Sequence, residues 1–123
     1  MRAYVDAASD SRVFIRTPRG TARVTWRGAE APRSGDLDLE LTLKGRIRWA
    51  VEASIAGADE PMGVGDDGSL VGRLEAIDPD GVIWLRLAEG LVMAAPEGTA
   101  PLVRIGDLVL IRVAEIEAYP VKL

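Results

Sequence analysis

The sequence predicts an all-β protein, built as a small OB-like or SH3-like barrel or as a sandwich. Three observations predict this class. Apolar residues alternate with polar ones wherever the chain is apolar, which is the period of a half-buried strand. Clusters of Gly, Pro and Asp separate these segments, as turns do. Apolar positions do not recur at the three- and four-residue spacing of an amphipathic helix.

The first half of the chain is divided into strands in this way. Residues 12–16 and 21–27 are joined by the turn sequence Thr-Pro-Arg-Gly at 17–20. Four leucines alternate with polar residues over 37–43, which predicts a strand buried on one face. Residues 47–55 alternate similarly, and although a short helix over 45–54 is the alternative, their Ile, Trp and Val content favours a strand.

The second half shows the same kind of punctuation. Turns are predicted at 78–81 and 88–90, and Gly106-Asp107 opens the most apolar segment. The predicted strands of this half are residues 70–77, 82–88, 91–95 and 108–113.

The two halves share an order of features that predicts either a duplication or a single barrel or sandwich with an N-terminal extension. Gly20 aligns with Gly90, and Gly35-Asp36-Leu37 aligns with Gly106-Asp107-Leu108. A duplication predicts two five-stranded units, one over residues 1–55 and one over 69–123, with a Gly- and Asp-rich linker at 56–68. Each unit is too small to bury a core comfortably, so we expect them to pack as one domain.

Composition excludes much catalytic chemistry. The chain has no Cys and no His, which removes disulfides, thiolate zinc sites, nucleophilic Cys and His-based triads or metal centres. It also removes the usual acid/base group near neutral pH. The spacing of the carboxylates singles out no catalytic pair. We therefore predict a protein that is not an enzyme and that uses no cofactor and no metal.

Residues 63–68 match the dinucleotide-binding pattern G-x-G-x-x-G. That site requires a helix after the loop, whose N-terminus meets the pyrophosphate. The residues after Gly68 instead have the pattern of a strand, and Asp66 and Asp67 would oppose phosphate. We interpret the segment as linker.

Residues 78–81, Asp-Pro-Asp-Gly, resemble the start of a calcium-binding loop. The sixth position of such a loop needs Gly for its sharp turn, and here it is Ile83. A β-turn with Pro at its second position accounts for the same residues. The acidic residues of the linker are interpreted as solvated, so no metal site is predicted.

The first hairpin is the most informative feature of the sequence. An even-numbered connection at 17–20 pairs Ile15 with Ala22 and Phe14 with Arg23, whereas an odd one mixes apolar and charged faces. One face then carries Val13, Ile15, Ala22, Val24 and Trp26. The opposite face carries Arg12, Phe14, Arg16, Arg23 and Arg27.

We call this second set the basic face. An exposed Phe surrounded by Arg suits an acidic partner, or stacking and phosphate contact with single-stranded nucleic acid. The alternative is an ordinary solvent-facing strand surface. Phe14 also aligns with Ile83 in the proposed repeat, a position with the pattern of a buried residue.

The second hairpin is apolar on both faces. One face carries Ile83, Leu85 and Leu87 opposite Val92 and Ala94. The other carries Val82, Trp84, Arg86, Leu91 and Met93. A hairpin of this kind is central to the core or lies at an interface. Trp84, Arg86 and Met93 are therefore candidate residues for binding another protein or a second copy, with ordinary core as the alternative.

The charge of the chain is uneven. Residues 1–48 hold ten basic and six acidic side chains, and residues 49–123 hold five and thirteen. Together with the missing catalytic residues, this favours a non-catalytic module that binds another protein, including a stoichiometric inhibitor or immunity-type partner. The alternatives are an OB-like single-stranded nucleic-acid binder, which the pI of about 4.8 disfavours, and a tandem barrel that binds a small anion or ligand.

The sequence also bears on location. The apolar runs are too short to cross a bilayer, and the N-terminus lacks the apolar region of a secretory signal. We expect no membrane association and a cytoplasmic location.

Overall fold

A computed structural model describes residues 2–7, 12–17, 19–30, 34–87 and 90–121. Over these residues the chain forms eleven strands and no helix, which confirms the predicted all-β class. The strands are β1 Arg2–Ala7, β2 Arg12–Thr17, β3 Gly20–Trp26, β4 Gly35–Lys44, β5 Ala53–Ile55, β6 Gly63–Val64, β7 Ser69–Ile77, β8 Ile83–Leu87, β9 Gly90–Ala94, β10 Leu108–Arg112 and β11 Glu115–Pro120.

The first sheet closes on itself as a barrel in the order β1-β2-β3-β11-β4. All of its pairs are antiparallel except β3 with β11. Alternate residues of each strand point inward, so Val5, Ile15 and Leu39 are fully buried. Closure gives every strand of this sheet a partner on both sides, although among the described residues β1 pairs with β4 only over Gly35–Asp38.

The second sheet has the order β5-β10-β7-β8-β9, with β6 paired to β7. A bulge in β7 lies between Leu74 and Ala76. Beyond the end of β9, the N–H of Glu97 donates to the carbonyl of Ile47 (2.8 Å) and the N–H of Trp49 donates to the carbonyl of Glu97 (3.0 Å). These bonds tie the outer end of the sheet back to the segment that precedes β5.

Each sheet takes one strand from the other half of the chain. β11 comes from the predicted C-terminal unit and pairs with β4 and β3 of the barrel. β5 comes from the predicted N-terminal unit and pairs with β10. The buried side chains of both sheets form one hydrophobic cluster. The proposed units at 1–55 and 69–123 therefore interlock through strand pairing, and their boundaries stay a prediction.

The segment before β5 departs from the predicted strand over 47–55. Only Ala53–Ile55 is a strand, and residues 48–53 form a tight turn in which Ala50 has a φ of 67°. The Arg48 carbonyl accepts hydrogen bonds from the N–H groups of Val51, Glu52 and Ala53. The turn is neither the predicted strand nor the alternative helix. The strand prediction is wrong for this segment. Val51, which the alternation places on the buried apolar face, is 61% exposed.

An ion pair links Arg48 and Glu52 within this turn. The Glu52 carboxylate accepts from the Arg48 backbone N–H (2.9 Å) and from its guanidinium (2.6 Å). The guanidinium hydrogen bonds lower the pKa of Glu52 to about 2. In this segment a turn with a charged pair four residues apart forms in place of the strand that the apolar alternation predicts.

The tip of the first hairpin packs on the start of the second half. The Thr17 hydroxyl donates to the carbonyl of Val64 (3.0 Å) and the Arg19 guanidinium donates to the Ser69 hydroxyl (3.0 Å). Further along β3, the N–H of Arg23 donates to the Asp66 carboxylate (3.2 Å). The segment predicted as linker therefore covers part of the β3 edge.

A buried carboxylate holds β11 in the barrel. Glu117 is 2% exposed and accepts a hydrogen bond from the Arg27 guanidinium, with Lys44 Nζ at 3.5 Å and the Tyr119 hydroxyl at 3.3 Å. The hydrogen bond from Arg27 lowers the pKa of Glu117 below its ordinary value. The Arg27 N–H also donates to the Ala118 carbonyl (2.9 Å), so Arg27 binds β11 through both backbone and side chain.

Because the two halves exchange strands, we expect neither to fold alone. Fragments 1–62 and 63–123, produced separately, should each lack a cooperative thermal transition by circular dichroism, since each is missing a strand of its own sheet. Mixing them should restore the transition seen for the intact chain. A cooperative transition in either isolated fragment would contradict this.

Glu117→Gln should lower the melting temperature by roughly 5 °C or more, because the charged partner of Arg27 and Lys44 is lost while the size is kept. The lowered pKa means that ionised Glu117 stabilises the fold above its unfolded pKa of about 4.3. That stabilisation disappears as the pH falls through the folded pKa. Thermal melts should therefore show the full difference between wild type and variant at neutral pH and a shrinking one below about pH 4.

The control is Glu75→Gln, which breaks the exposed ion pair with Arg86. Exposed pairs contribute little, so this variant should melt close to wild type. Equal melting temperatures for the two variants would refute a special role for Glu117.

Candidate protein-binding groove

The first hairpin has the predicted register. Ile15 pairs with Ala22, Phe14 with Arg23 and Arg16 with Thr21. The predicted apolar face, ending at Trp26, is buried throughout. The five residues of the basic face, Arg12, Phe14, Arg16, Arg23 and Arg27, are all exposed. Phe14 is therefore a surface residue, despite its alignment with buried Ile83.

Carboxylates neutralise part of the basic face. The Arg16 guanidinium pairs with Asp6 (3.1 Å) and stacks over the Tyr4 ring, 4.3 Å from its centroid. Arg27 pairs with Glu117 and with Glu115. Among the described residues, only the guanidinium groups of Arg12 and Arg23 on this face have no acidic partner. The face is thus less positive than its sequence indicates.

Arg12 and Arg23 border a polar cleft of about 340 Å³, whose other side is the turn over 65–68. That turn carries Asp66 and Asp67, and the Ser69 hydroxyl bond lowers the pKa of Asp67. β7 begins at Ser69, so the G-x-G-x-x-G sequence leads into a strand, as predicted. The mixture of both charges gives this cleft no preference for an anion.

The turn at 78–81 is the predicted β-turn. The Gly81 N–H donates to the Asp78 carbonyl (2.9 Å), and the Asp78 N–H donates to the Val82 carbonyl (2.8 Å). The Asp78 carboxylate accepts from the Trp84 indole N–H (3.0 Å). Over the described residues no cluster of acidic side chains has the arrangement of a metal site.

The second hairpin also has the predicted register, with Leu85 opposite Val92 and Trp84 opposite Met93. Its inner face is buried. Its outer face lies at the surface: Leu91 is 44% and Met93 is 53% exposed, and Trp84 is half-buried. The outer face therefore lies at the surface. The alternative interpretation, that this face belongs to the core, is wrong.

These side chains line a groove of about 360 Å³ between the second hairpin and the outer part of β4. Its apolar wall contains Trp84, Leu91 and Met93, and the facing wall is formed by residues 40–43. The end of the groove is marked by the ion pair between Arg46 and Glu97 (2.7 Å). We call this site the β4–β9 groove.

Four of the eight candidate residues named from the sequence line one of two sites, and Phe14, Arg16 and Arg27 line neither. Trp84 and Met93 line the β4–β9 groove, and Arg86 lies beside them on the same hairpin face, paired with Glu75 (2.9 Å). Arg12 and Arg23 line the polar cleft. The facing wall from β4, including Glu40, was not predicted, because only the tertiary arrangement brings these distant strands together.

Comparison with known proteins returned no match among family models, curated proteins or solved structures. In the described part of the chain, no helix is long and apolar enough to span a membrane.

Proposed function

We propose that this protein is a non-catalytic module that binds another protein through the β4–β9 groove. The observation that carries the proposal is the exposure of Leu91 and Met93 beside Trp84 in a concave site. Contiguous apolar surface of this kind marks interaction sites in soluble proteins. Trp is a frequent energetic anchor in interfaces, and Met adapts its shape to a partner.

The surroundings of the groove support the same proposal. Its rim carries the Arg46–Glu97 ion pair and the Glu40 carboxylate, which is the apolar centre and polar border of many protein interfaces. Within this class, a stoichiometric inhibitor or an immunity-type partner suits a small β framework with an acidic second half. Such proteins act by occupying a surface, so they need no reactive group.

The duplication and the OB-like or SH3-like comparison are part of this proposal. β1-β2-β3 and β7-β8-β9 have the same antiparallel order, and β4 pairs with β1 as β10 pairs with β7. The fifth strand of each half then pairs with the fourth strand of the other half. This correspondence supports a duplicated five-stranded unit whose last strands are exchanged.

Single-stranded nucleic acid is the second candidate, because Phe14 is exposed opposite Arg23 and next to Arg12 on the same face, and both guanidinium groups lack acidic partners among the described residues. Such a ring can stack with a base while the arginines contact phosphates. The neutralised Arg16 and Arg27 and the low pI weigh against it.

The protein-binding proposal is tested by photocrosslinking in the source cells with benzoylphenylalanine at position 93 and, for comparison, at position 105. Ile105 is also exposed but lies outside the groove. The partner crosslinked only from position 93 is then titrated against Leu91→Asp, which should bind roughly 30-fold more weakly, as expected when an anchor site is disrupted.

Leu102→Asp is the matched control, since Leu102 is exposed and does not line the groove. Equal loss of affinity in both variants, or no loss in Leu91→Asp, would refute the use of the groove. Thermal melts of each variant establish that the fold is retained.

For the second candidate, a labelled single-stranded oligonucleotide is titrated at low salt by fluorescence anisotropy. A nucleic-acid binder should lose affinity as salt rises and should lose most of it in the double variant Arg12→Ala/Arg23→Ala. Since the face is largely neutralised, we expect no saturable binding. A salt-dependent signal that vanishes in the double variant would establish the second candidate.

A further inference from the structure

The edge of β9 offers unpaired backbone groups. Leu87 pairs with Gly90 across a two-residue connection, and in such hairpins this closing pair exchanges both hydrogen bonds. The pairs then alternate, so Leu91 and Met93 direct their N–H and C=O groups away from β8. β9 is the last strand of its sheet, and no other described residue hydrogen-bonds to these groups.

The facing edge of β4 is unpaired over the same groove. The Ala118 carbonyl accepts from the N–H of Arg27, the residue that follows β3, so Ala118 directs its backbone away from its β4 neighbour Leu41. By the same alternation, Leu41 and Leu43 direct their backbone groups away from β11. Among the described residues β1 pairs with this edge of β4 over Gly35–Asp38, and no other strand there continues along it.

The first hairpin shows how the chain closes such an edge elsewhere. Arg23 stands three residues after Gly20, as Met93 stands three after Gly90, so its N–H also points away from the hairpin. That N–H donates to the Asp66 carboxylate. An open edge invites pairing with another chain, and proteins normally cover it. The chain thus covers this position in the first hairpin and leaves it open in the second.

The charges and apolar groups of the β4–β9 groove define what fits there. Glu40 and the paired Arg46 and Glu97 leave one net negative charge on its lining. Glu40 has no cationic partner among the described residues. Leu91 and Met93 project from one strand onto the same side, so they contact alternate residues of an extended chain.

From these observations, and resting on the proposed function, we infer that the β4–β9 groove binds an extended segment of the partner as an added strand. The segment alternates apolar side chains, which contact Trp84, Leu91 and Met93, with Lys or Arg, one of which pairs with Glu40. Its backbone hydrogen-bonds to the open edge of β9, as in other cases of strand addition. Backbone pairing supplies affinity, and the alternation supplies specificity.

The probe is an acetylated, amidated peptide of about eight residues that repeats Lys-Val, a length that spans the groove-lining part of β9. Binding is measured by isothermal titration, and amide hydrogen exchange by NMR. Strand addition should slow exchange of the Leu91 and Met93 amides by about tenfold or more. The same peptide with N-methylated backbone amides should bind about tenfold more weakly.

Glu40→Gln should weaken binding of the Lys-Val peptide but not of a Thr-Val peptide, whereas Asp59→Asn, at an exposed loop position, should change neither. Binding that is unaffected by N-methylation and protects none of these amides would overturn strand addition while leaving a protein-binding groove intact. Failure of the Lys-Val peptide to bind would also overturn it. The proposed function fails by a separate result: no partner is crosslinked specifically from position 93, or the affinity for the partner is unchanged in Leu91→Asp.

Discussion

The exchange of the last strand between the two halves is the constraint on which the rest of the structure depends. The barrel closes only when β11 lies between β3 and β4. A single arginine, Arg27, binds β11 through a backbone hydrogen bond and through the buried Glu117 carboxylate. A buried carboxylate is costly unless it is paired and hydrogen-bonded. The position of Glu117 is therefore tied to that of Arg27, which specifies where β11 pairs.

Strand exchange also determines which backbone edges stay open. β11 pairs with one side of β4, and among the described residues β1 pairs with the other side over Gly35–Asp38. The outer part of β4 therefore faces β9. The same arrangement brings the loop before β7 against β3, where Asp66 covers the Arg23 amide. The two hairpins thus end in different surroundings. One has its edge covered from within the chain, and the other borders the groove that we propose as the binding site.

The distribution of charge on the folded surface differs from its distribution along the sequence. The basic side chains of the first half meet acidic ones from their own half and from β11, as in the pairs of Arg16 with Asp6 and of Arg27 with Glu115. The strong asymmetry along the sequence is therefore reduced on the surface, where Arg16 and Arg27 of the basic face have acidic partners. The groove is left with apolar side chains and a slight acidic excess, which favours a partner with apolar and basic residues.

What the sequence by itself determined is the local order: the all-β class, both hairpin registers and the residues on each hairpin face. These follow from turn chemistry and period-two alternation, which act between near neighbours. The strand predicted over 47–55 is wrong for most of its length. There the apolar alternation accompanies a turn that contains the Arg48–Glu52 pair and the left-handed Ala50. Only the tertiary structure decided that β5 and β11 exchange sheets and that β4 faces β9, because pairing between distant strands depends on contacts that no local pattern records.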